Sequence, residues 1–252
     1  MSGQLGMVSL TVDMRQLHEL AARRGWLGGR AIDEGRALHH LLSEAFGPRS
    51  LQPFRLMPPV RGRLATLYAY TTAEPETLLE TMALAAPDTQ AVFAGRRVRH
   101  KTMPDRFAPG RRLGFDVRIR PVRRSRALCA RGGQGAREID AFLFEALQHP
   151  DDGDWMRRHG RTREAVYADW LAERLQGAAR LEPGVRLVRF RRLVSSRGQA
   201  RVEGPDAVMH GVLQVEDTDA FADLLRRGIG RHRAYGYGML LLRPAPAAQP
   251  GG

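Results

Sequence analysis

The sequence predicts an α+β protein of two tandem halves, each an antiparallel sheet with helices packed on one face. Three observations carry that expectation. Short runs of alternating apolar residues are interleaved with runs at helical spacing, which separates strands from helices. Over the first hundred residues these runs follow the order strand, helix, strand, strand, helix, strand, which is the ferredoxin-like (RRM-like) order. A proline-, glycine- and arginine-rich stretch from Pro104 to Gly110 then precedes a second mixed half that ends helix, glycine loop, strand. With 252 residues and 43% hydrophobic content, the chain has material for two cores. The expected units are residues 1–104, residues 111–243 and a flexible Pro-, Ala- and Gly-rich tail at 244–252.

Leu5 to Val12 alternates as a half-buried strand does. Asp33 is placed to cap a helix whose apolar positions Leu38, Leu41, Leu42 and Ala45 keep helical spacing and which ends near Gly47. Phe54 to Met57 and Leu64 to Tyr70 read as strands on either side of a turn with Pro58, Pro59 and Gly62. Glu74 to Ala85 reads as a helix and Ala91 to Phe93 as a short strand. In the second half, Leu113 to Ile119 is a strand, and Arg137 to Gln148 and Arg163 to Leu175 are helices. Val185 to Val194 and Val208 to Val215 are strands, Thr218 to Arg226 is a helix, and Tyr237 to Leu242 is the last strand.

Charge narrows the function. The formal net charge is +13, and Lys101 is the only lysine among 40 basic residues. Coding bias accounts for arginine in place of lysine but not for the excess of bases over acids. Such an excess attracts a polyanion, nucleic acid before an anionic membrane surface. Cys129 stands alone, which leaves no disulfide framework and no cysteine zinc site. No apolar run reaches the length of a membrane span and no basic leader opens the chain, so a cytoplasmic protein without a membrane partner is expected. Asp151, Asp152 and Asp154 fail the calcium-loop pattern, and neither a metal site nor a cofactor is expected.

The most informative segment runs from Gly228 to Gly238, GIGRHRAYGYG. Gly228, Gly230, Gly236 and Gly238 let a backbone approach a phosphate closely, and Arg231, His232 and Arg233 add positive charge. A dinucleotide fingerprint would run strand, glycine loop, helix with tighter spacing. Here the order is reversed, and no Gly-Lys-Ser/Thr comes after it to make a phosphate-binding P-loop. A second basic series, Arg118, Arg120, Arg123, Arg124 and Arg126, lies along the end of a strand and the loop after it. Both sets suit an RNA backbone, with a solvated basic face and a structural turn as the plain alternatives. Low aromatic content, 7%, disfavours extended single-strand stacking.

The stretch LLRRGIGRHRAYGYGMLLL, Leu224 to Leu242, resembles the C-terminal glycine-rich signature of repeat-associated CRISPR proteins, most closely the CasE family. Val212 to Glu216, the strand LGFDVRIRP at 113–121 and the helix RALHHLL at 36–42 resemble further pieces of that family in the same order. The resemblance implies two ferredoxin-like domains and a metal-independent endoribonuclease that binds the stem-loop of CRISPR repeat RNA. It implies cleavage that leaves a 2′,3′-cyclic phosphate, then retention of the product beside other Cas subunits of an effector complex. It also places the catalytic histidine at His39.

Metal-free RNA cleavage needs a base for the 2′-hydroxyl, an acid for the departing 5′-oxygen and positive charge on the phosphorane. His39 lies at the edge of the apolar face of its helix, with Arg36 and Ser43 beside it. His40 points further out, toward Asp33 and Glu44, and reads as solvated or salt-bridged. Relatives can carry a tyrosine three residues before the histidine and a lysine five after; this chain has Arg36 and Glu44. Arg36 can stabilise the phosphate but is a poor acid. The partner of His39 is therefore open, with His18, His100, His232 and Lys101 candidates by residue type alone. Two other classes stay open: a non-catalytic RNA-hairpin-binding subunit, and a basic regulator of DNA that lacks a recognisable recognition helix.

Overall fold

The computed structural model describes residues 3–28, 31–125, 137–149, 152–197 and 200–247. Strand β1, Gly6–Asp13, leads into helix α1, Met14–Arg23. Asp13 ends the strand and caps the helix by accepting from the Arg15 and Gln16 amides. Helix α1 was not expected from the sequence, because its buried stripe is only Leu17, Leu20 and Ala21. A two-stranded ribbon comes next, β2 (Leu27–Gly28) and β3 (Ala31–Ile32), then helix α2, Glu34–Phe46. The Asp33 side chain accepts from the Arg36 amide, so this helix begins where its cap predicts.

Strands β4 (Phe54–Met57) and β5 (Leu64–Thr71) form a hairpin, and helices α3 (Pro75–Leu84) and α4 (Pro87–Val92) lead on to strand β6 (Arg99–Thr102). The strand expected at Ala91–Phe93 is in fact the end of α4 and the residue after it. Val92 and Phe93 are fully buried there, and periodicity cannot assign an apolar run that short. The sheet order is β4-β5-β1-β6, antiparallel throughout, as in a ferredoxin-like unit. Val8, Leu10 and Val12 of β1 and Ala65, Leu67 and Ala69 of β5 face α1, α2 and α3.

The second half repeats the plan with additions. Strands β7 (Arg112–Ile119) and β8 (Val122–Ser125) precede β9 (Arg137–Asp140), which pairs with β8. Helices α5 (Ala141–Ala146), α6 (Trp155–Arg158) and α7 (Arg163–Leu175) come after them. The single helix expected over Arg137 to Gln148 is therefore a strand and then a short helix. Asp140 breaks the run by accepting from the Phe142 amide as an N-cap. Strands β10 (Ala179–Leu181), β11 (Arg186–Arg197) and β12 (Ala200–Val215), helix α8 (Thr218–Arg227) and strand β13 (Leu240–Pro244) complete the chain. The sheet order is β10-β12-β7-β13, with β11 also paired to β12.

The two halves pack through the sheet face that carries Met7, Tyr68 and Tyr70, which joins the core of the second half. Tyr70 donates from its hydroxyl to the Leu240 carbonyl at 2.8 Å. Arg55 of β4 reaches Asp116 of β7 at 3.3 Å, and His210 of β12 meets the other oxygen of the same carboxylate at 2.8 Å. Arg55 is almost completely buried, and burial pulls its pKa down to about 10.

Candidate active site

Helix α2 brings His39 to the seam between the halves. Ala37, Leu38, Leu41, Leu42 and Ala45 are buried against the first core, and the helical turn leaves His39 half-buried at their rim. Its ring lies against the ring of Tyr235, with centroids 5.2 Å apart and planes inclined by 57°. Gly35, one turn earlier on the same face, admits the Tyr235 backbone: a Cβ there would stand 2.7 Å from the Tyr235 carbonyl oxygen. The Nδ1 of His39 is buried and has no hydrogen-bond partner among the described residues. Burial, and then the neighbouring His40, lower the His39 pKa below its ordinary value. The imidazole is thus neutral at neutral pH, the form in which it can accept a proton.

The surroundings differ in part from the sequence expectation. His40 is exposed and stacks on Trp26, with centroids 5.0 Å apart, rather than pairing with Asp33 or Glu44. Glu44 is held by the Arg24 guanidinium at 2.6 Å and the Thr89 hydroxyl at 2.6 Å, which ties α2 to the end of α1 and to α4. Ser43 donates to the His39 carbonyl at 2.8 Å, leaving the ring untouched. Arg36 is half-buried, and its charge adds to burial in lowering the pKa of His40.

The glycine segment is closed at its neck. The Gly228 amide donates to Leu224 at the end of α8, the Ile229 amide donates to the Gly238 carbonyl at 2.8 Å, and the Gly238 amide donates to the Arg118 carbonyl at 2.7 Å. Gly228, Gly230 and Gly236 turn their α-carbons toward Pro53, Trp170 and Phe54, so the segment packs against both halves. Between them a 3-10 turn, Arg233–Tyr235, is bracketed by His232 and Gly236, both in left-handed backbone. That turn carries Tyr235 to α2.

Glu138 of β9 fixes the turn from the other side. One carboxylate oxygen pairs with Arg231 at 2.6 Å and the other meets His232 Nε2 at 2.8 Å. The bond from His232, opposed by burial and assisted by the charges of His232, Arg231 and Arg120, takes the Glu138 pKa down to about 2. A depressed carboxylate pKa stabilises the fold above the unfolded-state value of 4.5, and this contribution is lost as pH falls toward about 2. Glu138→Gln is therefore expected to melt below wild type at pH 7. Paired thermal melts should show the gap narrowing through that acid window; a gap constant from pH 7 to pH 3 would contradict it.

The basic series separates by environment. Arg118 is ion-paired to Asp206 and lies over the Tyr237 ring at 4.4 Å. Arg120 is buried with its Nε unpartnered among the described residues, and Arg123 is paired with Glu173. Arg124 and Arg231 are exposed, and Arg233 is exposed with one nitrogen donating to the Arg227 carbonyl at 2.6 Å. Arg126 lies outside the described residues. Exposed bases that the sequence did not single out, Arg186, Arg191 and Arg192, line β11.

The other candidates lie apart from His39 or are occupied. His18 pairs with Glu34 at 2.9 Å. His100 and Lys101 are on β6, at the opposite sheet edge from β4, whose Phe54 touches the glycine segment. Asp152 and Asp154 pair with Arg158 and Arg157. Among the described residues no group of three or more His, Cys, Asp and Glu converges as a metal site would require, and no helix is long and apolar enough to cross a membrane. Sequence reasoning passed over Tyr235 and Glu138. A glycine in the first turn of an otherwise good helix, Gly35, was the available sign of a close backbone neighbour.

A family model described as CRISPR associated protein matches residues 7–244. No curated protein sequence matches the chain. Among solved structures, the chain is similar to Thermus thermophilus Cse3 bound to an RNA representing a pre-cleavage complex, with TM-score 0.65, 21% identity, and 96% and 100% of the two chains covered. It is similar to Cas6e from Escherichia coli str. K-12, with TM-score 0.58, 19% identity and 96% and 100% covered. A chain of a CRISPR RNA-guided surveillance complex gives TM-score 0.55, 16% identity and 95% and 100% covered.

Proposed function

Since the chain belongs to the CRISPR-associated protein family, we propose that it binds the hairpin of CRISPR repeat RNA and cleaves beside it as a metal-independent endoribonuclease. The observation that carries this reading is the His39 imidazole: neutral, half-buried and facing the basic glycine segment across the seam. In it, His39 serves as the proton-transfer group and Arg36 stabilises the phosphorane. Arg124, Arg231 and Arg233 meet phosphates, while Arg118 and Arg123, ion-paired, and the buried Arg120 support the strands beside them. Gly228, Gly230, Gly236 and Gly238 shape the loop against which the RNA lies. Cleavage by the 2′-hydroxyl leaves a 2′,3′-cyclic phosphate. The product stays bound as part of an effector complex with other Cas subunits, a role supported by the similarity to a surveillance-complex chain.

The test is a hairpin repeat RNA incubated with the protein in EDTA, with the product ends identified. Uncut but tightly bound RNA would favour the second reading, a non-catalytic hairpin-binding subunit. That reading is favoured by Glu44, an acid neutralised by Arg24 where a cation would have helped the phosphate.

The His39 environment also sets a pH profile. A base of lowered pKa is unprotonated to lower pH, so the acid limb of single-turnover cleavage should fall below the ordinary histidine value of about 6.5. A limb centred above that value would assign the titration to another group.

A further inference from the structure

We infer that Tyr235 is the second proton-transfer residue of the cleavage centre, donating to the 5′-oxygen as His39 takes the proton of the 2′-hydroxyl. This rests on the nuclease reading above and fills the place that the sequence left open.

The neighbours of His39 on its own helix are unsuited to the task. Arg36 carries a guanidinium, a good phosphate donor but a poor acid. The Ser43 hydroxyl is spent on the His39 carbonyl at 2.8 Å, and Glu44 is held by Arg24 and Thr89. His40 stacks on Trp26 and faces solvent. Across the seam stands the Tyr235 ring, 5.2 Å from the imidazole centroid and half-buried with it. Its position is built rather than incidental. A 3-10 turn bracketed by two left-handed residues presents it, Glu138 clamps the turn through Arg231 and His232, and Gly35 clears its backbone carbonyl. A phosphate at the mouth of the seam would meet both rings.

The proton count closes. The O2′–P bond forms and the P–O5′ bond breaks while the 2′-hydroxyl proton passes to His39 and the phenolic proton passes to O5′. The imidazolium then returns a proton to the phenolate, so both groups regain their starting forms and no other reactant is needed. An imidazole of lowered pKa is neutral near pH 7, so His39 begins in the form that takes a proton, and the Tyr235 hydroxyl carries the one to be given.

The experiment uses single-turnover cleavage by the full chain on two hairpin RNAs. One is ordinary; the other carries sulfur in place of the bridging 5′-oxygen, a leaving group that departs without a proton. Tyr235→Phe keeps the ring and its packing. It is expected to slow the ordinary substrate about 10²–10⁴-fold with affinity unchanged, and to cut the sulfur substrate near the wild-type rate. His39→Ala should be slow on both. Wild-type speed of Tyr235→Phe on ordinary RNA would overturn the inference and leave the nuclease reading intact. Equal slowing on both substrates would reduce Tyr235 to a packing role. A wild-type protein that cuts neither RNA would overturn inference and reading together.

Discussion

His39→Ala is expected to bind hairpin repeat RNA as wild type does and to cut it about 10²–10⁴ times more slowly, the usual loss when a positioned proton-transfer group is removed. The expectation separates chemistry from stability because of where the side chain sits. His39 is at the rim of the α2 apolar face and not within it, so the buried contacts of Leu38 and Leu42 survive. Its Nδ1 has no hydrogen-bond partner among the described residues, so truncation strands no donor or acceptor there. Alanine also favours the helix more than histidine does. Affinity should persist because the bases proposed to meet phosphates, Arg124, Arg231 and Arg233, lie outside helix α2. Gel shifts beside cleavage in EDTA read both quantities. Undiminished cutting by the variant would remove His39 from the centre, and a parallel loss of binding would make it an RNA contact instead.

The legible and illegible parts of this fold divide along the range of the interactions. Helix α2 was legible because its signals are local: the Asp33 cap, the apolar spacing and the glycine stop all lie within fifteen residues or so of one another. Helix α7 was legible for the same reason, from the Val166, Tyr167, Trp170 and Leu171 stripe. Helix α1 was not, since Arg15, Gln16, His18 and Glu19 surround a narrow buried face. Where two short elements abut, as at Asp140 between β9 and α5, one continuous run hid the change of period. At the site, the His39 edge position came from helix geometry alone. Its meeting with Tyr235 did not, because that contact joins the first and second halves and no local pattern encodes it. The sequence singled out the glycine segment for its fit to a phosphate, but Gly228, Gly230 and Gly236 turn toward Pro53, Trp170 and Phe54, so close packing accounts for them without one.

That packing makes Gly238 the position where a single methyl group should do the greatest harm to the fold. Its φ is +78°, and a Cβ there would overlap the Ile229 carbonyl oxygen and lie 2.9 Å from the Ile229 nitrogen. The obstacle is backbone, so no rotamer change can clear it. Relief requires moving a residue whose carbonyl accepts from Ile229 at 2.8 Å and whose amide donates to Arg118 at 2.7 Å, beside buried Ile229, Met239 and Leu240. Left-handed strain of about 1 kcal/mol and two backbone bonds at about 0.5–1.5 kcal/mol each bring Gly238→Ala to roughly 2–4 kcal/mol before any repacking. That is a large share of the typical stability of a protein, about 5–15 kcal/mol. Gly62 provides the control, because its φ is +72° with nothing among the described residues within 4 Å of the added atom. Gly62→Ala should therefore show the backbone strain alone, about 1 kcal/mol. Denaturant titration of both variants reads the crowding at Gly238 as their difference. Cleavage should fall with Gly238→Ala alone, because the turn carrying Tyr235 hangs from that neck. Equal midpoints for the two variants would mean that the neck yields freely and does not hold Tyr235 against His39.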